Sequence, residues 1–105
     1  MTRCEFLFHK GLYVGFRFYG HVGIDRKGKD VVCAAVSAVT QATIIGLEEV
    51  LGEEVEYEVK DGSIRCTIHG EMECAQRMVE TLHKTVSQLS IQYPKNLSVS
   101  EMEVQ

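Results

Sequence analysis

A chain of 105 residues, 45% hydrophobic and 25% charged, has the composition of one globular domain spanning 1–105, which excludes collagen-like, low-complexity and disordered classes. Eleven Lys and Arg against 15 Asp and Glu leave a net charge of −4, and no stretch gathers basic side chains among aromatics, so direct nucleic-acid binding is not expected. Glu5 and His9 interrupt the N-terminal stretch where a signal peptide would need an apolar run, and Cys4, Cys33, Cys66 and Cys74 form no CxxC pair. The expectation is a cytoplasmic chain with reduced thiols and no membrane segment.

Segment 3–8 alternates, with Cys4, Phe6 and Phe8 sharing one face. Segment 12–19 sets Leu12, Val14, Phe16 and Phe18 against Tyr13, Arg17 and Tyr19, so the two predict a hairpin turning at Lys10-Gly11. From Val31 to Leu51, 14 of 21 residues are apolar, which predicts a helix of about 30 Å covered on more than one side. Ser37, Thr40, Gln41, Thr43, Gly46, Glu48 and Glu49 break this stretch, marking a core helix and not a membrane span. The cluster Glu48, Glu49, Glu53 and Glu54 reads as a solvated helix end.

Val55, Tyr57 and Val59 then alternate with glutamates up to Asp61-Gly62, a type I′ turn signature, and the return strand points Ile64, Cys66 and Ile68 inward. A second helix, from about Met72 to Ile91, carries a narrower stripe at Ala75, Met78, Val79, Leu82, Val86 and Leu89, and Pro94 ends it. The tail, 95–105, alternates Leu97 and Val99 with polar residues and predicts a short edge strand or an ordered extension. The order ββα-ββα defines the fold class as α/β of the α+β type: a two-layer sandwich with a mostly antiparallel sheet and two helices on one face.

Between the second strand and the first helix runs Gly20-His21-Val22-Gly23-Ile24-Asp25-Arg26-Lys27-Gly28-Lys29, the longest loop in the chain. A loop of this length in a compact domain is often functional, and its glycines lower the cost of rearrangement. With Asp30 as helix cap, Cys33 takes the third helical position, among unpaired backbone N–H groups. An ordinary thiol is only about 3% ionised at neutral pH, and a helix end supplies roughly 0.3–1 kcal/mol toward the thiolate, so a second group must help. His21, opening the loop, is the candidate: it takes the thiol proton, Cys33 attacks a carbonyl, and the imidazolium protonates the leaving amine.

Asp30 has two readings: it caps the helix, or it turns toward His21 and orients the ring as the third member of a triad does. Ser37 lies one turn after Cys33 on the same helical face, where its hydroxyl either positions substrate or bonds back to the helix. Periodicity alone does not separate a reactive Cys33 from one that fills the core.

Gly20-His21, the glycine-containing loop and Asp30-Val31-Val32-Cys33-Ala34-Ala35-Val36-Ser37-Ala38 together resemble the signature of the ribosomal-processing cysteine protease family known as Prp. The hairpins and second helix fit that family's arrangement as well. Val22 stands where the family usually carries alanine, and Val31 and Val39 replace other aliphatics. The resemblance implies that His21 and Cys33 form the catalytic dyad and that Gly20, Val22, Gly23 and Gly28 belong to a substrate loop. It further implies a homodimer acting on a ribosomal protein precursor, whose N-terminal extension is cut after an aromatic residue and before a small one.

Competing signals are weaker. Cys66, His69 and Cys74 lack a fourth ligand and the spacing of a closed zinc site, so neither metal nor cofactor is expected. Cys4 reads as core, and His9 and His83 as surface residues. The alternative from another class is a non-enzymatic dimeric peptide-binding adaptor associated with ribosome assembly, with Cys33 as filling. A redox sensor ranks below it, because no resolving cysteine is near Cys33 in sequence.

Overall fold

The computed structural model describes residues 1–20, 31–60 and 62–105. Five strands, β1 (Thr2–His9), β2 (Leu12–Tyr19), β3 (Val55–Lys60), β4 (Ser63–Ile68) and β5 (Leu97–Glu103), form one sheet in the order β3-β4-β2-β1-β5. Three of the four pairings are antiparallel; the fourth lays β5 parallel to β1, from Thr2 beside Leu97 to Phe8 beside Glu103. Helices α1 (Val31–Ile45) and α2 (Glu73–Gln92) complete the two layers. The tail is therefore an edge strand, joined by the long return that a parallel neighbour requires.

Alternation decides which side chains meet the helices. Cys4, Phe6, Phe16, Phe18, Cys66, Ile68 and Leu97 from the sheet are buried in one cluster with Val32, Val36, Ile44, Ala75, Val79, Leu82 and Val86 from the helices. Burying a side chain the size of Phe or Leu is worth about 1.5–3 kcal/mol, so this cluster dominates stability. The opposite face of the sheet is polar: Glu5 accepts from Arg17 Nε, and Tyr19 donates its hydroxyl to Glu5 at 2.8 Å.

The β1–β2 register departs from simple alternation at one point. Leu7 pairs with Gly15 but Phe8 pairs with Tyr13, so Val14 is an extra residue and the strand bulges. Beyond the bulge the faces exchange. Leu12 is exposed, while Tyr13 turns inward and packs its ring 4.4 Å from that of Phe8, centroid to centroid. Period-two reading placed Tyr13 outward because a one-residue insertion is silent in the pattern.

α1 ends in a single π-helical turn, Gly46–Val50, in which the Leu51 N–H donates to the Gly46 carbonyl at 2.9 Å. The helices approach closely at Gly46, since a Cβ there would sit 2.5 Å from the sulfur of Met78. The wider turn leaves Leu47 fully buried. Coverage of α1 is one-sided: Val31 is 60% and Ile45 50% exposed, and Ala34, Ala38 and Ala42 are exposed between them. The expected second cover is not supplied by this chain's described residues.

Two further expectations change. Glu53 is buried, not solvated, and its carboxylate accepts the Glu54 and Met72 N–H groups, each at 3.2 Å, holding the start of α2. At the sheet edge, Tyr57 and Val59 occupy inward positions of β3 yet are about half exposed. Lys60 pairs with Ser63 across a two-residue loop whose Gly62 has φ +81°, while Asp61 lies outside the described residues.

Candidate active site

Cys33 is the third residue of α1, as its place after Asp30 predicted, and is half-buried. It lines a cavity of about 190 Å³ whose apolar walls are Phe18 from β2, Val36 from α1, Val59 from β3 and Ile64 from β4. An apolar cavity of about 150 Å³ holds a benzene molecule, so this one takes an aromatic ring with room to spare. Thr2, Ser37, Lys60 and Ser63 add the polar groups.

Each wall has a local cause. Val32 and Val36 bury the inner face of α1, which leaves Cys33 and Ser37, one turn apart, on the flank facing the β3–β4 hairpin. Ser37 Oγ accepts from the Gln41 side-chain amide at 2.9 Å, which fixes the hydroxyl beside the cavity. Tyr19 also borders the cavity, but its hydroxyl is held by Glu5. Gly20 has φ +75°, and a Cβ there would approach the Met1 carbonyl to 2.7 Å, so a glycine is required where β2 ends. His21, Val22, Gly23, Gly28 and Asp30 lie outside the described residues.

The other cysteines contrast with Cys33. Burial pushes the thiols of Cys4 and Cys66 up to about 12, with Glu48 adding to the effect at Cys66, so both stay protonated and unreactive. Cys74 is exposed on α2. His69 bonds Glu56 at 2.8 Å, and no group of three or more potential metal ligands gathers among the described residues.

His83 is the functional-looking residue that sequence reading misplaced. Far from being a surface side chain, it stacks on Phe6 with centroids 4.2 Å apart and sits between Tyr13 and Glu101. Because a carboxylate only accepts, Nε2 donates to Glu101 at 2.8 Å, and Nδ1 accepts from the Tyr13 hydroxyl at 2.8 Å. Burial, then the charges of Glu80 and Glu101, raise the Tyr13 pKa. Neither partner was readable in advance: Tyr13 arrives through the bulge and Glu101 through the parallel strand. His9, placed at the surface by its sequence, is likewise half-buried and bonds the Val104 carbonyl at 2.9 Å.

An α+β layer pair places a thiol in the first turn of a helix, opening on a cavity for one side chain, an arrangement that suits a cysteine peptidase. The chain belongs to the cysteine protease Prp family, whose model, described as Cysteine protease Prp, matches residues 1–98. No curated protein sequence matches it closely enough to count as a relative. Among solved structures, SMU.848 from Streptococcus mutans superposes with a TM-score of 0.85 at 23% identity, covering 99% of each chain. The essential ribosomal processing protease Prp from S. aureus, in complex with a covalently linked product peptide, superposes with a TM-score of 0.88 at 19% identity, covering 97% of this chain and 100% of that one. The same protease with a substrate peptide gives 0.88 at 18% identity over the same shares. At these identities the likeness is one of fold.

Proposed function

We propose that this peptidase removes the N-terminal extension of a large-subunit ribosomal protein precursor in the cytoplasm, with Cys33 as nucleophile and His21 as its proton-transfer partner. The observation that carries the reading is the position of Cys33: it opens a helix and lines a cavity that accepts an aromatic ring, in a chain of the cysteine protease Prp family. The family resemblance implies cleavage after an aromatic residue, and the cavity's walls suit one. The S. aureus neighbour, a ribosomal processing protease, supports the substrate class.

In this mechanism His21 removes the Cys33 proton and the sulfur adds to the carbonyl carbon. The oxyanion is met by backbone N–H groups at the start of α1. Collapse breaks the C–N bond, the imidazolium protonates the departing amine, and water, deprotonated by His21, releases the acyl group from sulfur. Asp30 either caps α1 or orients His21; Asp30→Asn distinguishes these, a large loss of turnover with unchanged folding marking the orienting role. Gly20, Val22, Gly23 and Gly28 are assigned to the loop that meets the peptide.

The chain acts as a homodimer in this reading. The exposed stripe of Val31, Ala34, Ala38, Ala42 and Ile45 supports it, because small residues let a second apolar surface approach closely. Incubating the protein with an extended ribosomal-protein N-terminus and weighing the products tests the proposal. Wild type should yield one cut after an aromatic residue, and Cys33→Ser none. Intact substrate with wild type, or equal processing by Cys33→Ser, refutes it; peptide binding without cleavage would favour the adaptor.

A further inference from the structure

The face of the sheet that the helices leave open gathers cations that the sequence keeps apart. Arg3 stands on β1, Arg17 on β2, Arg65 on β4 and Lys60 on β3, which are four adjacent strands. Register aligns them in two rows across the sheet: Arg17 lies directly opposite Arg65, and Arg3 lies opposite Tyr19, two positions from Arg17 and on the same face. Lys60 pairs with Ser63, and Arg17, Lys60 and Arg65 line one groove of about 320 Å³ with Tyr19. These are four of the eight Lys and Arg among the described residues, so this face is positive in a chain whose net charge is −4. Only two carboxylates share the rows, and both are occupied, Glu5 by Arg17 and Tyr19, and Glu58 by Lys60 at 3.5 Å. Arg3 and Arg65 form no salt bridge among the described residues. Like charges directly opposite on neighbouring strands are destabilising, so the pairing of Arg17 with Arg65 is a cost that an anion laid across them would relieve.

We infer that this open face is a docking surface for single-stranded RNA, held through its phosphates; the inference does not rest on the peptidase reading. Strands about 4.8 Å apart spread the four cations over roughly 14 Å, a track across the sheet that suits a chain of phosphates better than one small anion. What else the rows hold argues against a protein partner. Beside the charges stand Tyr19, Ser63, Ser98 and Ser100, with no aliphatic side chain to form the apolar centre of an interface. Arginines, lysines and hydroxyls are the groups that bind nucleic-acid phosphates, and the exposed Tyr19 ring offers a base a surface to stack on. The acidity of the whole chain does not prevent this, because charges beyond about 8 Å are largely screened at physiological salt. In the next row Glu56 is held by His69 at 2.8 Å. Composition argued against nucleic acid because no stretch of sequence is basic, whereas here strand register assembles the patch.

The test follows the fluorescence anisotropy of a short labelled single-stranded RNA of mixed sequence at about 50 and about 200 mM salt. Wild type should bind at the lower salt and lose about thirtyfold in affinity at the higher, a logarithmic slope of about −2 to −3 for three or four phosphates. The double variant Arg3→Gln, Arg65→Gln should bind at least about tenfold more weakly and show a slope reduced by about one, since two phosphate contacts are gone. Arg77→Gln with Lys84→Gln removes the same charge from α2 and should leave affinity within about twofold, which separates the face from net charge. Melting temperatures verify that both variants are folded. No binding by wild type at the lower salt, or an equal loss in the two double variants, overturns the inference. Polyglutamate bound as tightly as the RNA overturns it too, and assigns the face to an acidic protein partner.

Discussion

At the turn end of the β1–β2 hairpin, a tyrosine, an imidazole and a carboxylate form a continuous hydrogen-bonded chain over Phe6 and Phe8. At the other end of β1, roughly 20 Å away by strand rise, the buried Thr2 hydroxyl has no hydrogen-bond partner among the described residues, and a cavity opens beside Cys33. Both ends belong to one sheet and one core. What differs is whether the fold satisfies its own buried polar groups. Where it does, as at Tyr13–His83–Glu101, the arrangement has the properties of structural support: it ties β2, α2 and β5 together. Where it does not, a buried hydroxyl is left unpaired among the described residues, close to the cavity that Cys33 lines.

The sharpest way to break that comparison is to remove one group at each end. Cys33→Ala is expected to lower turnover at least about a thousandfold, while its half-buried position keeps the stability change near 0.5 kcal/mol, read by peptide processing and chemical denaturation. His83→Ala should behave oppositely. It loses the stack on Phe6 and two hydrogen bonds, lowering stability by about 2 kcal/mol while kcat of the folded protein is retained; a loss of turnover without a loss of stability would make His83 part of the active site.

A smaller effect concerns the thiols. At pH 8, iodoacetamide should modify Cys33 and Cys74 in the native protein and reach Cys4 and Cys66 only on unfolding, which peptide mapping would read. The raised values of the two buried thiols also have a consequence for stability. Below the ordinary cysteine range, near ~8.5, both folded and unfolded chains hold these protons; above it the unfolded chain releases them and the native one does not until about 12. Denaturation midpoints should fall across that interval.

The smallest effect lies on the open face of the sheet. Glu5 is held below the usual carboxylate range by its bond from Arg17, then by that from Tyr19. Its contribution is complete above the unfolded value, near ~4.3, and fades as pH falls through the lowered native one. Glu5→Gln should therefore flatten the acid limb of the stability profile by no more than about 1 kcal/mol, because Arg17, its main partner, stays 39% exposed.

Much of this architecture was legible beforehand because it depends on local periodicity. The alternation of Cys4 and Phe6, the stripe through Ala75, Val79, Leu82 and Val86, and the two-residue turn before Ser63 each follow from neighbours in the chain. Cys33 was legible for the same reason, as a thiol placed in a helix's first turn. Tyr13, His83 and Glu53 were not. A bulge reversed the first, a stack on Phe6 and a parallel strand recruited the second, and the third was drawn under the start of α2 from a segment that reads as charged surface.

The amino-acid order alone determined most elements, their buried faces away from the β2 bulge, and the position of Cys33 at the start of α1, since all three are matters of spacing along the chain. Only the tertiary structure decided that Thr2 would meet the cavity beside Cys33 and that Tyr13 would reach His83. Those meetings join residues separated by 31 and 70 positions, and their geometry depends on strand register and helix packing, which no local pattern encodes.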